Sequence, residues 1–146
     1  MSLESLRRLK ERVEESVMME LARITQDLAG MERRCDGLSA RMESDAAAFR
    51  VSVEKGMPIE AVMEWQGRMD EKQAALKQSR RMIAELTDRW KQAQVRLVAA
   101  TQERKVLDRL AERQQAAHRA DVLRREQQAT DESATRLRLW SGKSVA

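Results

Sequence analysis

The sequence predicts an all-α fold: two long helices forming an antiparallel coiled-coil hairpin, with a helical overhang at the C-terminal end. Three observations carry this. Val62, Trp65, Met69, Lys72, Leu76, Ser79, Ile83, Leu86, Trp90, Ala93 and Leu97 follow each other by unbroken steps of three and four, which keeps one narrow seam turned toward a partner helix. The chain has one clear break, Lys55-Gly56-Met57-Pro58. The residues before that break carry a second seam that matches the first in a single register.

Composition agrees. Of 146 residues 42% are hydrophobic and 36% charged, with one proline, one Phe and no Tyr, a mix that belongs to long helices and leaves too few aromatics to fill a wide interior. No run of about 18 apolar residues could span a membrane. Met1 to Arg12 is charged without an apolar stretch and does not read as a secretory signal. A single cysteine makes no internal disulfide and fits a reducing cytoplasm. The net charge of +4 allows acidic partners, but the 28 basic and 24 acidic residues are interleaved, which favours a solvated helix surface over a nucleic-acid stripe.

The first helix is expected over about residues 3–54, with Ser2 as its cap. Its seam reads Leu6, Lys10, Val13, Val17, Leu21, Ile24, Leu28, Met31, Cys35, Leu38, Met42, Asp45, Phe49. The two steps of four from Val13 to Leu21 predict a stutter that locally unwinds the supercoil. Gly30 and Gly37 lie off the seam and weaken the helix by about 1 kcal/mol each relative to Ala. The turn falls at residues 55–58, where Gly suits the position past a helix end and Pro the first turn of the next. The second helix is expected over about residues 59–140, on the order of 120 Å against about 75 Å for the first. The whole chain, residues 1–146, is expected to be one coiled-coil domain.

In an antiparallel hairpin the numbers of facing residues add to a constant. Phe49 with Trp65, Asp45 with Met69, Met42 with Lys72, Leu38 with Leu76, Cys35 with Ser79, Met31 with Ile83, Leu28 with Leu86, Ile24 with Trp90 and Val17 with Leu97 all meet that condition. Helices joined by a short connection are antiparallel neighbours. Asp45 and Lys72 fall one layer apart and can pair, fixing the register at some cost in stability.

In that register Leu6 faces about residue 108, and the second helix beyond it has no partner. Gln114, His118, Asp121 and Arg125 occupy its seam positions, so the segment is predicted to be exposed or to await another protein. Ser141 to Ala146 are expected to be disordered.

Little chemistry is predicted. Two helices make no concave catalytic site, so the chain is not expected to be an enzyme, and no metal or cofactor is expected. His118 has no second ligand nearby and reads as a solvated helix residue. Cys35, Trp65 and Trp90 read as seam packing, and Met18, Met19, Met31 and Met42 as adaptable filler. No phosphate-binding glycine loop is present. Trp140, beside Leu137 and Leu139 in the unpaired end, reads as a docking contact. Arg104, Lys105, Arg109, Arg113, Arg119, Arg124, Arg125, Arg136 and Arg138 make the same end basic. Acidic loops lining a pore would be a natural counterpart.

From Glu103 to Leu139 the chain resembles the flagellar FliJ family. The resemblance rests on Glu103-Arg104-Lys105 with Leu107, on Leu110 and Glu112-Arg113-Gln114, on Arg125-Glu126, and on Asp131-Glu132 before Ala134. The length, the two-helix layout and the aromatic Trp65 early in the second helix match as well. The resemblance implies an antiparallel coiled coil similar to the stalk of rotary ATP synthases. It further implies a component of the type III export apparatus, cytoplasmic and peripheral at the inner-membrane base of the flagellum. Such a component joins the hexameric export ATPase to the cytoplasmic domain of the membrane export gate and interacts with export chaperones. By the same resemblance, the gate contact maps to Arg68, Lys72 and Ala75. The end carrying the N-terminal part and the overhang would sit in the ATPase ring. Of the residues there, Arg113, Arg124 and Arg125 read from their exposed charge as the ATPase contact, and Trp140 as a partner-docking contact. The residues by themselves do not separate a flagellar system from a related injectisome. The residues alone also admit a homodimerising structural coiled coil and a basic coiled-coil nucleic-acid binder. Direct membrane insertion is not expected.

Overall fold

A computed structural model describes the backbone of residues 2–145 and the side chains of residues 2–142. Among these the chain is two helices, α1 (Leu3–Glu54) and α2 (Ile59–Val145). Ser2 caps α1: its Oγ accepts the Ser5 N–H at 3.1 Å, and its carbonyl accepts the Leu6 N–H. This satisfies donors that the first turn would leave open. At the other end Gly56 stops α1 with φ of +97°, a conformation that costs a residue bearing Cβ. Pro58 stands just before α2, and its carbonyl accepts the N–H groups of Ala61 and Val62. Its fixed φ suits this entry and its missing N–H is not needed there.

Ser141 to Val145 continue α2, where disorder was expected. No proline stops the helix there, and Gly142 lowers helix propensity without terminating it. Ala146 lies outside the described residues.

The chain divides into two compact units, Val13–Ala100 and Met1–Arg12 with Thr101–Ala146. In the first, α1 and α2 pair antiparallel along the expected seam. Val17, Ile24, Cys35, Met69, Leu76, Ala93 and Ala100 are buried, and the intervening seam members are half-buried. No large side chain among the described residues is fully enclosed, because each faces a single neighbouring helix and keeps one edge in water. The register is that of the paired seams. Phe49 stacks on Trp65, Lys72 Nζ lies 2.6 Å from Asp45 Oδ2, and the Trp90 indole N–H donates to Thr25 Oγ1 at 3.2 Å. Glu20 and Arg96 bridge the helices through two hydrogen bonds of 2.8 and 3.0 Å.

The expected stutter does not form. Val13 is 41% exposed, whereas Glu14 is half-buried. Upstream of Val17 the steps of three and four continue through Glu14, Lys10, Arg7 and Leu3, all half-buried. Keeping the regular spacing avoids unwinding α1, and long Lys and Arg stems can cover apolar surface while their heads reach polar partners.

In the second unit the seam is therefore ionic. Asp108 accepts from Arg7 Nε and Nη2 on one carboxylate oxygen, at 3.2 and 3.1 Å, and from Arg104 Nη1 on the other, at 2.7 Å. Lys10 Nζ reaches Glu103 at 2.8 Å. The hydrogen bond to Asp108, with a further one to Glu4, holds the Arg7 guanidinium above its ordinary pKa. The pairing extends to half-buried Ala111, one turn beyond the expected end at Asp108. From Glu112 to Gly142 every residue except Asp121 is exposed.

Candidate functional site

Two places carry the residues singled out from the sequence. The first lies near the turn. Arg68 and half-buried Lys72 line one surface groove with Ala48, Ser52 and Met57, and the Phe49–Trp65 stack forms its floor. Lys72 is committed to Asp45, so among the described residues the cation of the groove that enters no ion pair is Arg68, which is exposed. Ala75 does not line this groove. It is exposed one heptad after Arg68 on the same flank of α2, since residues seven apart share a helix face. An aromatic floor with a guanidinium at the rim suits a partner side chain that is apolar at its base and anionic at its tip.

The second is the unpaired end of α2. Arg113 is exposed. Arg124 and Arg125 both pair with Asp121, the latter at 3.0 Å, so one carboxylate partly offsets two of the arginines read as contacts. These pairs are well exposed, and such pairs contribute little to stability. Trp140 is 71% exposed. Helical periodicity puts it on the face of Leu137, three residues earlier, and turns Leu139 away. The expected apolar cluster thus reduces to the pair Leu137 and Trp140.

His118 is exposed, in a shallow groove with Leu3, Glu4 and Arg7. Cys35 is a free, buried seam residue. Among the described residues no group of His, Cys, Asp and Glu is placed to hold a metal ion, and no helix is long and apolar enough to cross a membrane. The feature that sequence reasoning missed is the ionic seam around Asp108. Its signal was present: carrying the three-four spacing back from Val17 without a break lands on Glu14, Lys10 and Arg7.

The family model described as flagellar FliJ protein matches residues 1–143. Neither the comparison with curated proteins nor that with solved structures found a match. With nearly all of the chain matched and an antiparallel helical hairpin as its fold, the protein belongs to the flagellar FliJ family, whose members are components of the flagellar type III export apparatus.

Proposed function

We propose that this chain is the stalk-like coiled coil that couples the hexameric export ATPase to the membrane export gate at the cytoplasmic base of the flagellum, and that it interacts there with export chaperones. The observation that carries this reading is the end of α2. From Glu112 onward it leaves its partner helix and continues as a single exposed helix rich in arginine. A lone helix has a diameter of about 10–12 Å, which suits the central opening of a protein ring. Arg113, Arg124 and Arg125 present charge to acidic loops, where complementarity steers association. Trp140 with Leu137 supplies an apolar anchor. The groove floored by Phe49 and Trp65, with Arg68 and Lys72, is the proposed gate contact, and exposed Ala75 extends it along α2.

Truncation after Ala111 tests the ATPase arm. Every pairing between α1 and α2 described above is retained, so the melting transition should persist. Stimulation of the export ATPase and its capture in a pull-down should be lost, while capture of the gate's cytoplasmic domain remains. Full stimulation by the truncated chain would remove the overhang from the coupling.

A further inference from the structure

The unit formed by Met1–Arg12 and Thr101–Ala146 holds an apolar surface that the overhang does not use. Its seam is taken by Arg7, Lys10 and Arg104, with Leu3, Leu107 and Ala111. Leu6 and Leu9 of α1 are consequently turned aside. Leu6 immediately precedes the seam residue Arg7, as Leu110 precedes Ala111. In an antiparallel pair of helices such positions fall on the same flank of both. Leu9 and Val106 extend that flank outward by one position on each helix. Leu9 is 46% exposed, Leu110 43% and Val106 62%, while Leu6 is half-buried. The opposite flank carries Glu4 and Gln115, with Asp108 where it meets the seam, and is polar. An apolar strip two helices wide, beside a seam closed by ion pairs, lacks the third helix that would cover it.

The charges at its edges select the occupant. Glu103, the one acid on this flank, is engaged with Lys10. Arg12 on α1 and Arg109 and Arg113 on α2 border the strip, are exposed, and enter no ion pair among the described residues. We propose that this flank, Leu6 and Leu9 with Val106 and Leu110, is the docking groove for an acidic amphipathic helix of a partner protein. The partner's leucines lie between the two helices and its carboxylates meet Arg12, Arg109 and Arg113. Recognition is of the helix-in-groove kind, with anchors three and four residues apart, and the charged rim sets the sign of the partner. A second copy of this chain fits less well, because the unpaired end of its α2 would bring further arginines against that rim. The apolar strip lies in the paired residues up to Ala111; Arg113 at its border is shared with the proposed overhang contact, and the substitutions below leave that arginine unchanged, so the two readings fail separately.

Fluorescence anisotropy on the full chain tests it. The probe is a labelled, stapled helical peptide with leucine at alternating third and fourth positions and glutamate elsewhere, and its control carries lysine in place of glutamate. The acidic peptide should bind saturably, at least about tenfold more tightly than the lysine peptide, a gap of roughly 1.4 kcal/mol. Leu9→Glu with Leu110→Glu should abolish binding with the melting curve unchanged. If that double variant melts early, Arg12→Glu with Arg109→Glu replaces it, and should weaken the acidic peptide while strengthening the lysine one. Equal binding of both peptides, no saturable binding, or indifference to these substitutions would overturn the proposal. So would self-association in sedimentation equilibrium that Leu9→Glu with Leu110→Glu removes, since a second copy would then occupy the flank.

Discussion

Phe49 lies flat against Trp65, with ring centroids 3.8 Å apart and planes 8° from parallel. The two aromatics pack face to face in the seam near the turn and fix the register of the helices that leave it. Every layer farther from the turn inherits that register. Cysteines placed at Leu38 and Leu76, with Cys35 replaced by Ser, should therefore crosslink within one chain. Crosslinks found only between chains on a denaturing gel would mean that the seam pairs two molecules instead.

The turn depends on one backbone angle. A Cβ at Gly56 meets no atom within 4 Å, so the cost of Gly56→Ala comes from its positive φ alone, about 1–2 kcal/mol. At Gly67 a Cβ also has open space, but the residue lies inside α2. Gly67→Ala should therefore stabilise by roughly 0.5–1 kcal/mol. Thermal unfolding of the two variants should move the midpoint in opposite directions.

Burial along the seam is uneven, and this grades the cost of cutting it. Leu76 is buried, whereas Leu86 is only half-buried. Leu76→Ala should cost about 2–3 kcal/mol, near the lower end for buried leucines, and Leu86→Ala less. Ala93 is fully buried, so Ala93→Leu should destabilise by about 1–3 kcal/mol through overpacking. Denaturant titration measures all three.

The hairpin was legible because its signals are local and repeated. Gly56 and Pro58 mark the turn, and the seam from Trp65 to Leu97 has apolar residues at the spacing a partner helix requires. The register followed because two seams had to agree, and the Lys72–Asp45 pair was visible as opposite charges one layer apart. The reading failed upstream of Val17, where it followed the apolar residues Val13 and Leu6 in place of the helical period. Hydrophobicity and phase conflict there, and phase prevailed because Asp108 and Glu103 supply partners for Arg7 and Lys10. That outcome depends on which side chains meet across the helices, and a helix read one at a time does not contain it. The candidate contacts were legible as residue types, and part of their environment was legible too: Asp121 stands three and four residues before Arg124 and Arg125, the spacing of helical ion pairs, whereas Arg113 has no acid three or four residues away.

The Glu20–Arg96 pair gives a pH signature. The hydrogen bond from Arg96 holds the Glu20 carboxyl below its ordinary pKa. A carboxyl depressed in the folded state contributes stability above its unfolded pKa and loses it as pH falls through the folded value. The contribution is therefore present at neutral pH and disappears in acid. In an NMR titration the Glu20 midpoint should lie below that of the same residue in Arg96→Gln. Coinciding midpoints would show that the bridge is not held in solution.

Asp121 offers the sharpest handle on the proposed ATPase contact, because among the described residues 112–142 it alone is not exposed and it engages both Arg124 and Arg125. Asp121→Asn removes a charge that these arginines now share and leaves their side chains free for acidic loops. The helix should remain, since Asn and Asp have similar helix propensities and exposed i,i+3 and i,i+4 pairs contribute only about 0.2–0.5 kcal/mol each. Binding to the export ATPase should tighten by a few-fold through a faster association rate, and the gain should shrink as salt approaches physiological strength, where the Debye length is about 8 Å. Arg113→Glu should weaken the same contact more than Arg124→Glu does, because among the described residues no carboxylate pairs with Arg113. Surface-plasmon kinetics at two ionic strengths separate these outcomes. An unchanged association rate in Asp121→Asn would mean that the arginines beside it do not meet the ATPase.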